Sequence, residues 1–126
     1  MERLKFPACF SLGRKELLLI LTASITGFIH LYVGYTQMFQ TLTLAGFGFF
    51  GGIALFLSGK YRNLITAISI PYTAIQFVFY YNSYGLNLGP LALIDKIIQL
   101  VFIILGAHYL STKYHQAESI VDFLSS

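Results

Sequence analysis

Residues 90–111 read PLALIDKIIQLVFIILGAHYLS. A helix rising 1.5 Å per residue needs about 20 residues to cross the hydrocarbon of a bilayer, and this run is of that length. Pro90 stands at its head, where the first helical position has no hydrogen bond to lose. An acid and a base, Asp95 and Lys96, sit side by side near that end. If the run crosses a membrane, two charges inside it need a physical reason.

Three more apolar runs precede it, at about residues 16–35, 42–58 and 63–82, each near the same spanning length. Open strands are excluded, because their unpaired backbone groups would face lipid. The connections "TQMFQT" and "SGKYRN" are short enough to force antiparallel neighbours, and "NSYGLNLG" suits an exposed turn. The expected architecture is one all-α domain over residues 1–126, an integral membrane four-helix bundle running up-down-up-down.

Composition agrees. Of the 126 residues, 56% are hydrophobic and 10% charged, and the mean hydropathy is +0.72. Soluble domains carry about a quarter charged residues, so this chain lacks the polar surface to cover itself in water. Arg3, Lys5, Arg14 and Lys15 precede the first run, Lys60 and Arg62 separate the second from the third, and Lys113 follows the fourth. The positive-inside rule assigns that side to the cytoplasm, with both termini, and predicts a multi-pass protein of the cell membrane. Tyr35, Tyr80, Tyr81 and Tyr84 then form part of an outer aromatic belt. The basic amino terminus before an apolar run has no small-residue cleavage pattern and reads as an uncleaved first span. No basic stripe with interleaved aromatics points to nucleic acid. The single cysteine, Cys9, excludes an internal disulfide and reads as a small apolar residue at the membrane edge, or an acylation site.

The second run contains Gly48 and Gly52, a GxxxG pair that Ala45 and Gly59 extend. Without a hydrophobic drive between helices in lipid, close backbone approach holds them together, within the chain or against another subunit.

Depth gives the sharpest pattern. Asp95, His30 and Gln76 each lie five or six residues from the outer end of their helix, about 7 to 9 Å down. Gln99 falls about one turn deeper. On the third helix Thr66, Ser69, Tyr72, Thr73, Gln76 and Tyr80 share one stripe, and on the first Thr22, Thr26 and His30 share a face. Adjacent residues on a helix point apart, so Lys96 is expected to reach out to the headgroups while Asp95 turns inward to His30 or Gln76. Two readings of this layer stay open. It is polar glue that fixes register, or it lines a ligand site made by His30, Gln76, Asp95, Gln99, Tyr72 and Tyr80. Pro71, inside the third helix, should kink it beside the stripe.

Other chemistries find no complete set. His30 and His108 lie at opposite depths, so one chain cannot place both on a haem, and a metal site has too few ligands at one level. No serine completes a hydrolase triad, and a channel would need polar groups at every depth. The tail has Ala117, Ile120, Val121 and Leu124 at helical spacing, which suits a short amphipathic helix on the inner leaflet or on a partner, or a fraying terminus.

At "HLYVGY", "LAGFGFFGGIALFLSGKYRNLI", "IPYTAIQFVFYY" and "GPLALIDKIIQL" the chain resembles a group of small four-span membrane proteins of archaea. More loosely, "GGIALFLSGKYR" resembles DoxX-like four-helix proteins, some of which belong to quinone-linked sulfur oxidation. The resemblance implies the four-helix fold and carries over no catalytic residue. The functional expectation is a non-catalytic accessory subunit of a larger membrane complex, such as an oxidoreductase, with the bilayer and other membrane subunits or further copies as partners. The alternative is a standalone binder of a quinone-like or lipid-like ligand, and the third reading is a small oligomeric transporter. No intrinsic cofactor is expected, and a quinone is the candidate ligand.

Overall fold

A computed structural model describes residues 13–36, 38, 40–84 and 89–126, the side chains of 83 and 84 excepted. Cys9, Arg3, Lys5 and the side chain of Tyr84 therefore lie outside the described residues. Four long helices follow one another, α1 (Arg14–Thr36), α2 (Gln40–Leu57), α3 (Arg62–Tyr84) and α4 (Pro90–Gln116), before a short α5 (Ile120–Ser125). The described residues contain no strand. All four long helices are long and apolar enough to cross a membrane.

The ends form where local chemistry allows. Gly89 caps α4 in an extended conformation, Pro90 opens it, and Lys113 and His115 occupy its last turn, where cations favour the helix dipole. Gly59, at φ 85, turns the chain out of α2 in a conformation that side-chain-bearing residues rarely adopt. Arg62 then donates to the Phe56 carbonyl at 2.9 Å and lies over the Phe56 ring, which pins α2 to the start of α3.

Contacts run antiparallel throughout. Lys15 at the start of α1 donates to Thr112 near the end of α4, while Thr26 meets Asp95. Gly34 abuts Thr43 and Gly27 abuts Phe50, which sets α1 against α2. Gln99 reaches Gln76, which sets α4 against α3. All the described lysines and arginines except Lys96, namely Arg14, Lys15, Lys60, Arg62 and Lys113, thus gather at one end of the bundle.

The bundle is polar within and apolar without. Thr26, Thr73 and Gln99 are its largest fully buried side chains, joined in the interior by His30, Asn63, Thr66, Gln76 and Asp95. Phe28, Leu44, Phe47, Ile68, Val78 and Ile104 are more than half exposed on the outside. An exterior of that kind is an ordinary surface against lipid and a large unfavourable one against water. The apolar core occupies the basic half, where Phe49 meets Tyr72 and Phe102 edge-on and Phe56 lies against Tyr109.

One expectation about packing needs correction. Gly52 has no atom within 4 Å of an added Cβ, and at Gly48 such an atom would strike the Tyr72 hydroxyl, not a neighbouring backbone. The close approach is made by Gly46 against the Gly27 carbonyl and by Gly34 against Thr43. The motif spacing was present on α2, but a different glycine faces α1. The tail is also more firmly held than a fraying end. Asn63 donates its side chain to the Phe123 carbonyl at 2.8 Å, its backbone N–H donates to Ser126, and Phe123 is buried beside Tyr114. Ile120 and Val121 remain exposed, and Phe123 is the residue of α5 buried against the bundle. Helix α3 runs unbroken through Pro71, which faces outward, while its polar stripe faces in.

Candidate functional site

All six side chains proposed from the sequence come together, although one of them only from below. A cavity of about 890 Å³ opens between the four helices at the end opposite the basic residues. His30, Tyr72, Gln76, Tyr80 and Asp95 line it, with Lys96, and Gln99 lies fully buried against Gln76. The remaining wall is apolar, from Ile29, Val33, Leu42, Leu44, Ile75 and Phe79.

The polar groups form one connected chain. Thr26 donates its hydroxyl to Asp95 Oδ1 at 2.5 Å. His30 Nδ1 lies 2.8 Å from the Thr26 carbonyl and 3.6 Å from the same Asp95 oxygen. A carbonyl only accepts, so Nδ1 carries a proton. Lys96 Nζ stands 3.6 Å from Asp95 Oδ2 and donates to Gln99 Oε1 at 3.0 Å. Gln99 Nε2 in turn donates to Gln76 Oε1 at 2.7 Å. At the end of the chain, Gln76 Nε2 is buried without an acceptor. An unpaired buried donor costs about 1–3 kcal/mol, and this one belongs to a residue that lines the cavity.

Lys96 departs from expectation. Its side chain is 12% exposed, and its ammonium lies 5.0 Å from the ring centres of both Phe77 and Tyr80. The backbone directions of Asp95 and Lys96 do diverge, but a four-carbon stem is long enough to fold back over its own helix. Residues three apart on a helix are neighbours, so the contact from Lys96 to Gln99 was readable from spacing alone. Thr26 was placed on one face with His30 but not as the partner of Asp95. Only cross-helix geometry shows that role.

Tyr72 marks the floor. It donates to the Ala45 carbonyl at 2.9 Å, its ring edge meets Phe49, and Gly48 leaves room for it. This bridge from α3 to α2 separates the outer cavity from a smaller one of about 380 Å³ on the basic side, lined by Leu19, Gly52, Phe56, Ile65 and Phe102. Thr66 and Ser69 also line it, but their hydroxyls donate to carbonyls of their own helix. Among the described residues, no three of His, Cys, Asp and Glu cluster as metal ligands would.

Residues 11–111 match a family described as a family of unknown function (DUF7475). The chain belongs to that family. No curated protein and no solved structure matches it. The archaeal and DoxX-like resemblances therefore rest on the residues quoted for them alone.

Proposed function

We propose that this chain is a non-catalytic four-span protein of the cell membrane, with both termini cytoplasmic, that binds a small lipid-soluble ligand in its outer cavity. The gathering of Arg14, Lys15, Lys60, Arg62 and Lys113 at one end supports the orientation. The observation that carries the binding reading is the cavity of about 890 Å³ whose polar side chains converge from α1, α3 and α4 on an otherwise apolar wall. Ligand sites have this make-up, a few placed polar groups in an apolar concavity. Glue alone would close the layer; here the chain of hydrogen bonds ends on an unsatisfied amide. Binding is favoured over chemistry because Asp95 and the Nδ1 proton of His30 are already engaged by Thr26 and Lys96. A quinone-like or lipid-like molecule has the required combination of polar head and apolar body.

The accessory-subunit reading has its own support. Gly51 and Gly52 have nothing within 4 Å of an added Cβ, so α2 offers a small-residue face that its own bundle leaves uncovered. A partner helix or a second copy could approach closely there.

Purification of the full chain in mild detergent, followed by native mass spectrometry and solvent extraction, separates the two. A lone chain carrying a lipid-soluble small molecule, lost in the double variant Asp95→Asn with His30→Ala, is the expected result. Stoichiometric membrane proteins with no small molecule would overturn binding in favour of the subunit.

A further inference from the structure

The chemistry of the outer cavity can be read one step further, to the kind of head it takes. An ammonium only donates, so Lys96 at 3.0 Å fixes the facing oxygen of Gln99 as an acceptor. The amide nitrogen of Gln99 must then face Gln76 Oε1, and the Nε2 of Gln76, a residue of the cavity wall, is left unpaired just beneath the surface, where a small turn of the side chain brings it to a ligand oxygen. Neither amide can flip without setting N–H groups against the ammonium or against each other. Lys96 thereby makes Gln76 a donor. The two charged side chains of the wall also face each other, because Asp95 Oδ2 lies 3.6 Å from Lys96 Nζ. A charged head entering this wall would lose its hydration and meet no net opposite charge.

We propose, resting on the ligand-binding reading above, that the outer cavity selects an uncharged head whose carbonyl oxygen accepts from Gln76 Nε2. The class is a ketone or quinone on a hydrocarbon tail, with the tail against Leu42, Leu44, Ile75 and Phe79. Lys96 is a positioning residue, which sets the preference through Gln99 without touching the ligand carbonyl.

The test uses the full chain in detergent micelles. Binding of a decyl-tailed benzoquinone is followed by quenching of tyrosine emission, which is unobscured because the chain has nine tyrosines and no tryptophan. Decyl methyl ketone, decyl phosphate and decylammonium are then used as competitors. The ketone should displace the quinone, and the two charged amphiphiles should need about tenfold higher concentrations or more. Gln76→Glu, which keeps the size and replaces the donor, should weaken the ketone about tenfold, with Gln76→Met as a second variant should the first not fold. The infrared carbonyl stretch of isotope-labelled ketone should lie at lower frequency in the wild type than in micelles alone. It should return to the free value in the Gln76 variants and split into two bands in Lys96→Met, where both amide orientations become populated. Failure of every uncharged probe to bind removes the ligand-binding reading and this proposal with it. Equal binding of the charged probes, or a carbonyl band that ignores Gln76, overturns the proposal and leaves the cavity as a binding site. A single unmoved band in Lys96→Met removes the role given to Lys96.

Discussion

The outer and inner cavities lie along the same seam between α2 and α3 and share Tyr72, yet their polar side chains behave differently. In the inner half, Thr66 donates to Arg62, Ser69 to Thr66, and Thr22 to Leu18, each within its own helix. Such hydroxyls are satisfied before any neighbour arrives and ask nothing of a ligand. In the outer half Thr26 gives its proton to another helix, and Lys96, Gln99 and Gln76 pass a polarity from α4 to α3. The lesson concerns where a polar group finds its partner. Buried hydroxyls mark both halves; the outer half adds a connected run of cross-helix bonds that joins α1 to α4 and α4 to α3.

The largest break is expected at Asp95. In Asp95→Leu, the buried ammonium of Lys96 loses its counter-charge and the hydroxyl of Thr26 loses its acceptor. Removing one partner of a buried pair costs about 3–5 kcal/mol, which should appear as a large fall in the thermal midpoint in detergent. A fall below about 1 kcal/mol would place the pair among surface-like contacts and erase the contrast between the halves.

A second, intermediate effect comes from the glycines. At Gly34→Ala the added methyl meets the backbone of Thr43, so α1 and α2 must part, at a cost of about 1–3 kcal/mol. At Gly52→Ala the methyl enters open space beside the inner cavity, and stability should change by less than about 0.5 kcal/mol. Parallel thermal melts of the two variants read the difference. Equal effects would mean that the GxxxG spacing on α2, and not Gly46 and Gly34, sets the helix contact.

Much of this was legible in the chain. The four runs, their charged breaks and Pro90 place all four long helices, because spanning length and hydropathy are properties of consecutive residues. The depths of His30, Gln76 and Asp95 were equally readable, since helical rise converts position to height. The end of α4 was not, because "TKYHQ" is polar, yet the helix continues past Ser111 to Gln116. Lys96 was misplaced by treating backbone direction as side-chain destination. The cavity itself was illegible for a different reason. Its volume depends on how far apart α2 and α3 sit, and the Tyr72 bridge that sets this distance joins residues 27 positions apart.

The smallest expected effect is the most specific test of the contrast. Ser69 lines the inner cavity and donates to the Thr66 carbonyl at 2.7 Å. That carbonyl belongs to a helix ladder, so Ser69→Ala removes a donor without orphaning a buried acceptor, and the change should stay within about 0.5 kcal/mol. Binding of the decyl-tailed benzoquinone should also be unchanged, because no polar group of the outer cavity depends on Ser69. Thermal melts and quinone titration of the one variant check both statements. Were Ser69→Ala to weaken the quinone as Gln76→Glu does, the ligand would have to extend past Tyr72 and use both cavities. The bridge from Tyr72 to Ala45 would then be a gate within one long site and not the floor of the outer one.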